Sequence, residues 1–303
     1  MRHHLNAKCL NDGMSMPSCQ TKHLRKTHTR GRYIMNNSSR GISAAVLKNV
    51  ALLTMTLDHV TGVVFAAYLR NQGVHSLYSS DLYTMGRVIG RIAFVLYAFM
   101  IAEGAYKTRN KAKYAGRLLL LAVISIVPHS YAMAGKWFNP SDMNIFFLLF
   151  TGLITIYAYQ WLKDNIDNKF LSILCRILLT AAASFVSIKL HFEYGMMGIL
   201  LILTFYIFRD SFVKTAIFGA LVMSVGYMAH VILQTDVISW FANHSDNLIQ
   251  SLINIDKIQI YGLLAFPLIY FYNGQKGRQL PKYFYYLFYP VHLGILAIIK
   301  MCM

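Results

Sequence analysis

The stretch ISAAVLKNVALLTMTLDHVTGVVFAAYL, residues 42–69, decides how this chain must fold. A helix needs about 20 mainly apolar residues to cross the hydrocarbon core of a membrane, and this stretch exceeds that length. Three ionisable residues, Lys48, Asp58 and His59, nevertheless interrupt it. Charge within a membrane is costly and is usually retained for function. The stretch therefore predicts a membrane-spanning helix that carries part of a functional site.

The composition of the whole chain indicates the same class of protein. Of the 303 residues, 56% are hydrophobic and 14% are charged, and the mean hydropathy is +0.44. A soluble domain carries about 25% charged residues, so this composition argues against a cytosolic globular enzyme. The predicted fold class is all-α, a polytopic integral membrane bundle of helices.

Further apolar segments follow along the chain, and together they predict about nine transmembrane helices, within a range of eight to ten. The predicted spans are residues 42–69, 86–106, 115–134, 143–161, 170–190, 192–208, 212–233, 256–272 and 283–302. The sixth and eighth of these are short. The connections are short as well, except for residues 70–85 and 234–255.

A net charge of +17 is unusual for so apolar a chain, and the positions of the charges explain it. Most of the 29 Lys and Arg residues fall in the N-terminal segment and in alternate loops, as the positive-inside rule expects of cytoplasmic segments. We therefore expect a cytoplasmic N-terminus and, with nine spans, a C-terminus on the outside. Because topology accounts for the basic charge, membrane lipids are expected around the bundle and no nucleic acid partner is predicted.

The first 41 residues differ from the rest of the chain. They are polar and basic and have no apolar periodicity, which predicts a disordered cytoplasmic tail ahead of one membrane domain at residues 42–303. Met35 is an alternative start of translation. Two cysteines and two histidines of the tail lack the spacing of a zinc site, so no metal is predicted. They are Cys9, Cys19, His23 and His28.

Lys48 and His59 are eleven residues apart in the first span. On a helix they lie about 20° from a common face and about 16.5 Å apart along the axis. A cation near the helix start and an imidazole deep in the membrane suit a long anionic ligand, with its phosphates at Lys48 and its reactive end at His59. The alternative interpretation is a lysine that extends to the membrane surface and a histidine that is hydrogen-bonded in the core.

Four further ionisable residues fall within predicted spans: Arg87, Arg91, Glu103 and His292. Adjacent Asp58 and His59 form a plausible acid–base unit, although Asp58 could pair instead with Arg87 or Arg91, either for catalysis or only to neutralise buried charge. Glu103 could pair with Lys48. His292 follows Pro290, which frees a backbone carbonyl, and we expect it to share a site with His59.

Four stretches of these residues also carry a resemblance. They are LK at 47–48 with LDH at 57–59; GRIAF at 90–94 with AEG at 102–104; EYG at 193–195 with Gly198; and YNGQKG at 272–277 with FYPVHL at 288–293. In order and spacing the chain resembles the TraX family, the integral-membrane pilin N-acetylases of conjugative plasmids and their chromosomal relatives. Lys48 and His59 also match a wider group of membrane acyltransferases with a basic residue, ten residues and a histidine in their first helix.

The resemblance implies a membrane acetyltransferase in the bacterial cytoplasmic membrane, with acetyl-CoA as co-substrate and a peptide N-terminal amine or a glycan hydroxyl as acceptor. His59, Asp58 and His292 would then be catalytic, with His59 as general base. Lys48, Arg87, Arg91 and Glu103 would bind the substrate or CoA. Two other classes remain open. A transporter or permease would use the buried ion pairs as a relay, and an assembly scaffold would tolerate replacement of the intramembrane histidines.

Overall fold

The computed structural model of the chain describes residues 41–234 and 258–303. The predicted tail, apart from Gly41, lies outside these residues, as do Met35, the cysteines and histidines of the tail, and nearly all of the connection 234–255. In the described residues the chain is built from helices joined by short turns. The predicted all-α class is therefore confirmed for this part of the chain.

The helices are α1 (Ala44–His59), α2 (Ala66–Asn71), α3 (Asp81–Lys107), α4 (Lys111–Ile124), α5 (Ile126–Ala134), α6 (Ile145–Asn165), α7 (Lys169–Lys189), α8 (Gly195–Ile207), α9 (Phe212–Leu221), α10 (Tyr227–Gln234), α11 (Phe266–Tyr270) and α12 (Lys282–Met301). A π-helical turn, Val60–Phe65, joins α1 to α2, so that Ala44–Asn71 runs as one long helix. A second π-helical turn, Val222–Gly226, joins α9 to α10. A 3₁₀ segment, Ile258–Ala265, leads into α11.

Within the described residues, six helices are long and apolar enough to cross a membrane, or seven if the bent pair α4–α5 is one span. The predicted total of nine is thus not confirmed. The remaining two segments, Gly195–Ile207 and Ile258–Tyr270, are apolar but short. At 1.5 Å per residue, 13 residues cover about 20 Å of a hydrocarbon core about 30 Å thick.

The predicted span 115–134 is bent by 42° where α4 meets α5. The bend follows from Pro128, which has no backbone N–H to donate to the carbonyl of Ile124 one turn earlier. The predicted span 86–106 instead begins five residues early, at Asp81. The side chain of Ser80 caps it by accepting a hydrogen bond of 3.4 Å from the backbone N–H of Tyr83.

Helix α3 lies at the centre of the bundle and packs against α1, α6 and α8. Its close approach to α1 depends on two glycines spaced four residues apart, Gly86 and Gly90. A Cβ at Gly90 would clash with the side chain of Asp58, and one at Gly86 would clash with Thr61. Small residues at this spacing let two membrane helices approach closely. The packing therefore brings the ionisable residues of α1 and α3 together.

The beginning of α1 is held by the loop that precedes α12. The backbone N–H groups of Ala44 and Ala45 donate to the carbonyls of Gln275 and Lys276, at 2.9 and 3.1 Å. A helix N-terminus leaves such N–H groups without partners inside the helix, and this loop satisfies two of them. The first and last spans are in this way joined near Lys48.

Candidate functional site

An ion-pair cluster in the middle of the bundle joins α1 to α3. Oδ1 of Asp58 lies 2.9 Å from Nη1 of Arg87 and 2.6 Å from Nη2 of Arg91. Asp58 and Arg91 are both buried, at 6% and 4% exposure. Buried charges are stable only when they are paired, and here one carboxylate faces two guanidinium groups. The cluster therefore keeps an excess of positive charge.

In the described residues, the carboxylate of Asp58 forms no direct hydrogen bond with the adjacent His59. Its carboxylate contacts the two arginines, because neighbouring residues on a helix point about 100° apart. The directly bonded acid–base unit considered from the sequence is therefore replaced by an Asp58–arginine cluster. Any influence of Asp58 on His59 is electrostatic.

His59 forms its short contact with His292 of α12. Nδ1 of His59 lies 2.7 Å from Nε2 of His292, and the two rings are stacked with centroids 4.9 Å apart. Nδ1 of His292 lies 2.8 Å from the carbonyl of Phe288, one turn earlier. Pro290 in this helix frees a carbonyl locally, as the sequence indicated. The structure thus brings together the two intramembrane histidines that the sequence singled out.

The hydrogen bonds of this pair fix where its protons lie. A carbonyl only accepts, so Nδ1 of His292 carries a hydrogen, and Nε2 of a neutral ring then carries a lone pair. That lone pair accepts from the Nδ1–H of His59. Nε2 of His59 is consequently the nitrogen without a hydrogen, and it is the basic atom of the pair.

Two cavities lie near this pair. The first, about 500 Å³, is called the Lys48 cavity here, and it extends from Lys48 to Met55 and Tyr289. Most of its wall is apolar, but its Lys48 end is basic. The cations that line it are Lys48, Lys107, Arg117 and Lys276. A cavity with a basic end and an apolar interior suits a ligand with an anionic head and a long, weakly polar arm.

The second cavity, about 340 Å³, is called the His59 cavity. It contains the Asp58–arginine cluster and His59. Its other polar lining residues are His129, Ser141, Asp142, His191, Glu193, Tyr194, Tyr227 and Gln259. Tyr194 has a left-handed backbone, with φ of 63°, and its ring stacks on Phe94 at 3.8 Å. The two cavities therefore differ in chemistry, one basic and apolar, the other rich in paired charge.

Lys48 and Glu103 do not pair with each other. Nζ of Lys48 donates to Gln279 at 3.3 Å and lies over the ring of Tyr285. Glu103 instead forms ion pairs with Lys107, at 2.9 Å, and with Arg209, at 2.8 Å. The Lys48–Glu103 pair that the sequence left possible is therefore not formed, because α3 turns Glu103 towards Lys107 and Arg209. Both residues still line the Lys48 cavity.

Two residues that the sequence did not assign to the site lie between its parts. His129 follows Pro128 in the predicted span 115–134; it is buried, at 2% exposure, and lines the His59 cavity. Tyr289 lines the Lys48 cavity, and its ring packs edge-on to both His59 and His292. The dipeptides Pro128-His129 and Tyr289-Pro290 were the available signals, since a proline beside a polar residue marks irregular backbone in a membrane helix.

The described residues include no group of three histidine, cysteine, aspartate or glutamate side chains placed to hold a metal ion. The fold and the site together define a multi-pass helical membrane protein with a buried histidine pair, an ion-pair cluster and two cavities. The model of the TraX protein family matches residues 43–300, and the chain belongs to that family.

One curated relative is a probable fimbrial assembly protein FimC, serogroup H1, of Dichelobacter nodosus. It is 29% identical over 263 residues, which cover 86% of this chain and 96% of the relative. No solved structure matches the chain. The family match therefore includes every residue that lines the two cavities.

Proposed function

We propose that this protein is a membrane acetyltransferase that moves an acetyl group from acetyl-CoA in the Lys48 cavity to an acceptor in the His59 cavity. The observation that carries the proposal is a buried base, Nε2 of His59, in the His59 cavity, whose ring packs against Tyr289 of the Lys48 cavity. An enzyme that joins a soluble donor to an acceptor across a membrane needs two separate approaches to one reacting centre.

Acetyl-CoA fits the Lys48 cavity in charge and in length. Its phosphates would bind the lysines and Arg117 at the basic end, and its pantetheine arm would follow the apolar wall towards Met55. Lys48 and His59 lie about 16.5 Å apart along α1, which suits such an arm. This assignment puts the Lys48 end on the cytoplasmic side of a bacterial cytoplasmic membrane, in accord with the positive-inside rule.

The chemistry follows from the hydrogen-bond pattern. Nε2 of His59 takes a proton from the attacking nitrogen or oxygen of the acceptor, and His292 stabilises the resulting imidazolium through its Nε2. The new bond forms to the thioester carbonyl, and the carbon–sulfur bond breaks. A guanidinium group of the Asp58–arginine cluster stabilises the oxyanion that forms on the carbonyl. In a variant of this mechanism, His59 carries the acetyl group covalently as an acetyl-imidazole intermediate.

The acceptor is proposed to be a pilin-like peptide with a free N-terminal amine, or else a glycan hydroxyl. The similarity to a probable fimbrial assembly protein supports the peptide. No metal enters the proposed mechanism.

Purified protein in liposomes, supplied with acetyl-CoA labelled in the acetyl group, tests the proposal. Transfer of label to a peptide or glycan, with release of free CoA, is the expected result. Uptake of label into the lumen without release of CoA would instead indicate a transporter. Cells that keep the wild-type phenotype when both His59 and His292 are replaced would indicate an assembly scaffold. Mass spectrometry of envelope and secreted fractions from a deletion strain identifies the acceptor by a lost acetyl group.

A further inference from the structure

The proposed acetyl transfer leaves one proton unassigned. His59 lines the His59 cavity and takes its proton from the acceptor there. The leaving thiolate of CoA forms at the end of the Lys48 cavity, which His59 does not line. A proton held on His59 is therefore on the acceptor side of the reacting centre, whereas the thiolate forms on the donor side. A second group, on the donor side, would let CoA leave directly as the thiol.

Tyr289 of α12 is placed to do so. It is buried, at 3% exposure, lines the Lys48 cavity and packs edge-on to the ring of His59 with centroids 5.7 Å apart. Its hydroxyl lies 3.2 Å from Nδ1 of His129, which lines the other cavity. The phenol thus connects the two cavities through one hydrogen bond.

A carboxylate stands behind this hydrogen bond. Nε2 of His129 lies 3.5 Å from Oδ2 of Asp142, which also lines the His59 cavity. An anionic carboxylate favours a hydrogen on the nitrogen that faces it, and it stabilises the imidazolium form of the ring. When His129 is an imidazolium, both of its nitrogens donate, so Nδ1 donates to the oxygen of Tyr289 and the phenol hydrogen is free to turn towards the Lys48 cavity.

We propose that Tyr289 is the general acid that protonates the leaving thiolate of CoA and that His129, paired with Asp142, supplies the replacement proton. This inference rests on the proposed acetyltransferase activity. As the carbon–sulfur bond breaks, the phenol proton passes to sulfur and the Nδ1 proton of the His129 imidazolium passes to the phenol oxygen. His59 holds the proton from the acceptor. His59 and His129 both line the His59 cavity, so exchange with water there restores both, and the balance is one thiol and one acetylated acceptor.

A thioester series with different leaving groups tests the role of Tyr289. The thiolate of CoA is basic and is the one that the proposed acid protonates, so Tyr289→Phe is expected to lower kcat for acetyl-CoA by about 10²- to 10⁴-fold. A weakly basic thiolate leaves without the help of an acid. The same variant should lower kcat for S-acetyl-4-nitrothiophenol by less than about 10-fold. Tyr159→Phe is the matched control. Tyr159 is also a buried tyrosine with a hydrogen-bonded hydroxyl, at 2.6 Å from Thr180, but it lines neither cavity.

Equal losses of Tyr289→Phe for the two thioesters, or wild-type turnover of acetyl-CoA by this variant, would overturn the inference while leaving the acetyltransferase proposal intact. A wild-type protein that transfers acetyl from neither thioester would overturn both. Addition of His129→Gln gives a second measurement that uses acetyl-CoA alone. Because both residues serve one proton, the double variant should be no slower than Tyr289→Phe, and multiplied losses would contradict the relay.

Discussion

Asp58 in the His59 cavity and Lys48 in the Lys48 cavity are held in opposite ways. In the His59 cavity the carboxylate of Asp58 is fixed between two arginines, with contacts of 2.9 and 2.6 Å. In the Lys48 cavity, Lys48 contacts only neutral partners among the contacts described above, a glutamine amide and a tyrosine ring. Charge deep in a membrane must be paired to be stable, whereas charge near the surface can remain available for a soluble ligand. The comparison separates residues that build the centre from residues that are proposed to bind a ligand.

Replacement of His59 should give the largest loss of activity, because it removes the proposed general base. His59→Gln is expected to lower kcat for acetyl transfer by about 10³- to 10⁴-fold, with the folded yield unchanged. Transfer of labelled acetyl by purified variants measures this. The control is His75→Gln, an exposed histidine of the loop before α3. A His59→Gln protein with wild-type turnover would exclude a general-base role.

Loss of the central carboxylate should affect stability as well as activity. Asp58→Asn leaves two guanidinium groups without their counter-charge, at a cost of about 3–5 kcal/mol in the free energy of unfolding. Thermal unfolding in detergent measures the change. Asp81→Asn, an exposed aspartate at the start of α3, should cost less than about 1 kcal/mol. Similar unfolding temperatures for the two variants would contradict a central ion-pair cluster.

The close packing of α1 on α3 makes a smaller and purely steric prediction. Gly90→Ala adds a Cβ against Asp58 and should destabilise the protein by about 1–3 kcal/mol. Gly116→Ala in α4, where an added Cβ meets open space, is the control and should be neutral or slightly stabilising. The same thermal measurement compares them. Equal stability of Gly90→Ala and Gly116→Ala would mean that α1 and α3 approach each other less closely than in this structure.

The smallest effect is expected at the Lys48 end, where the charge of Lys48 is proposed to bind a ligand and forms no ion pair in the contacts described above. Lys48→Ala should raise the KM for acetyl-CoA by roughly 10-fold, with little change in kcat or in unfolding temperature, because one phosphate contact is lost among several. Steady-state kinetics with varied acetyl-CoA measure this. Lys163→Ala, near the end of α6 and outside both cavities, is the control. An unchanged KM would remove Lys48 from the binding site.

Part of the fold was predictable because hydrophobic length is a local property. Each of the nine predicted apolar segments overlaps a helical segment in the described residues, and the two shortest predictions are the two that fall below a full span. The bend between α4 and α5 was less evident, since a single proline within an apolar run leaves the average hydropathy nearly unchanged.

The site was only partly predictable, because residue type identifies a candidate but not its partner. Lys48, Asp58, His59, Arg91 and His292 were recognisable as charge or imidazole within apolar runs. The burial of His129 and its bond to Tyr289 were not, since a histidine near a helix end and a tyrosine in a membrane helix are both ordinary. The Lys48–Glu103 pair did not form for the same reason. The sequence indicates how deep each residue lies in the membrane, but not which faces of the helices contact each other.

By itself, the sequence determined the class of protein, the approximate position of each apolar helix and the ionisable residues that lie within them. Those are properties of length and periodicity along the chain. Only the tertiary structure decided the partners, such as His59 with His292, separated by 233 residues, and His129 with Tyr289, separated by 160. Partner choice depends on how helices cross, which close-packed glycines and side-chain shapes set jointly across the bundle.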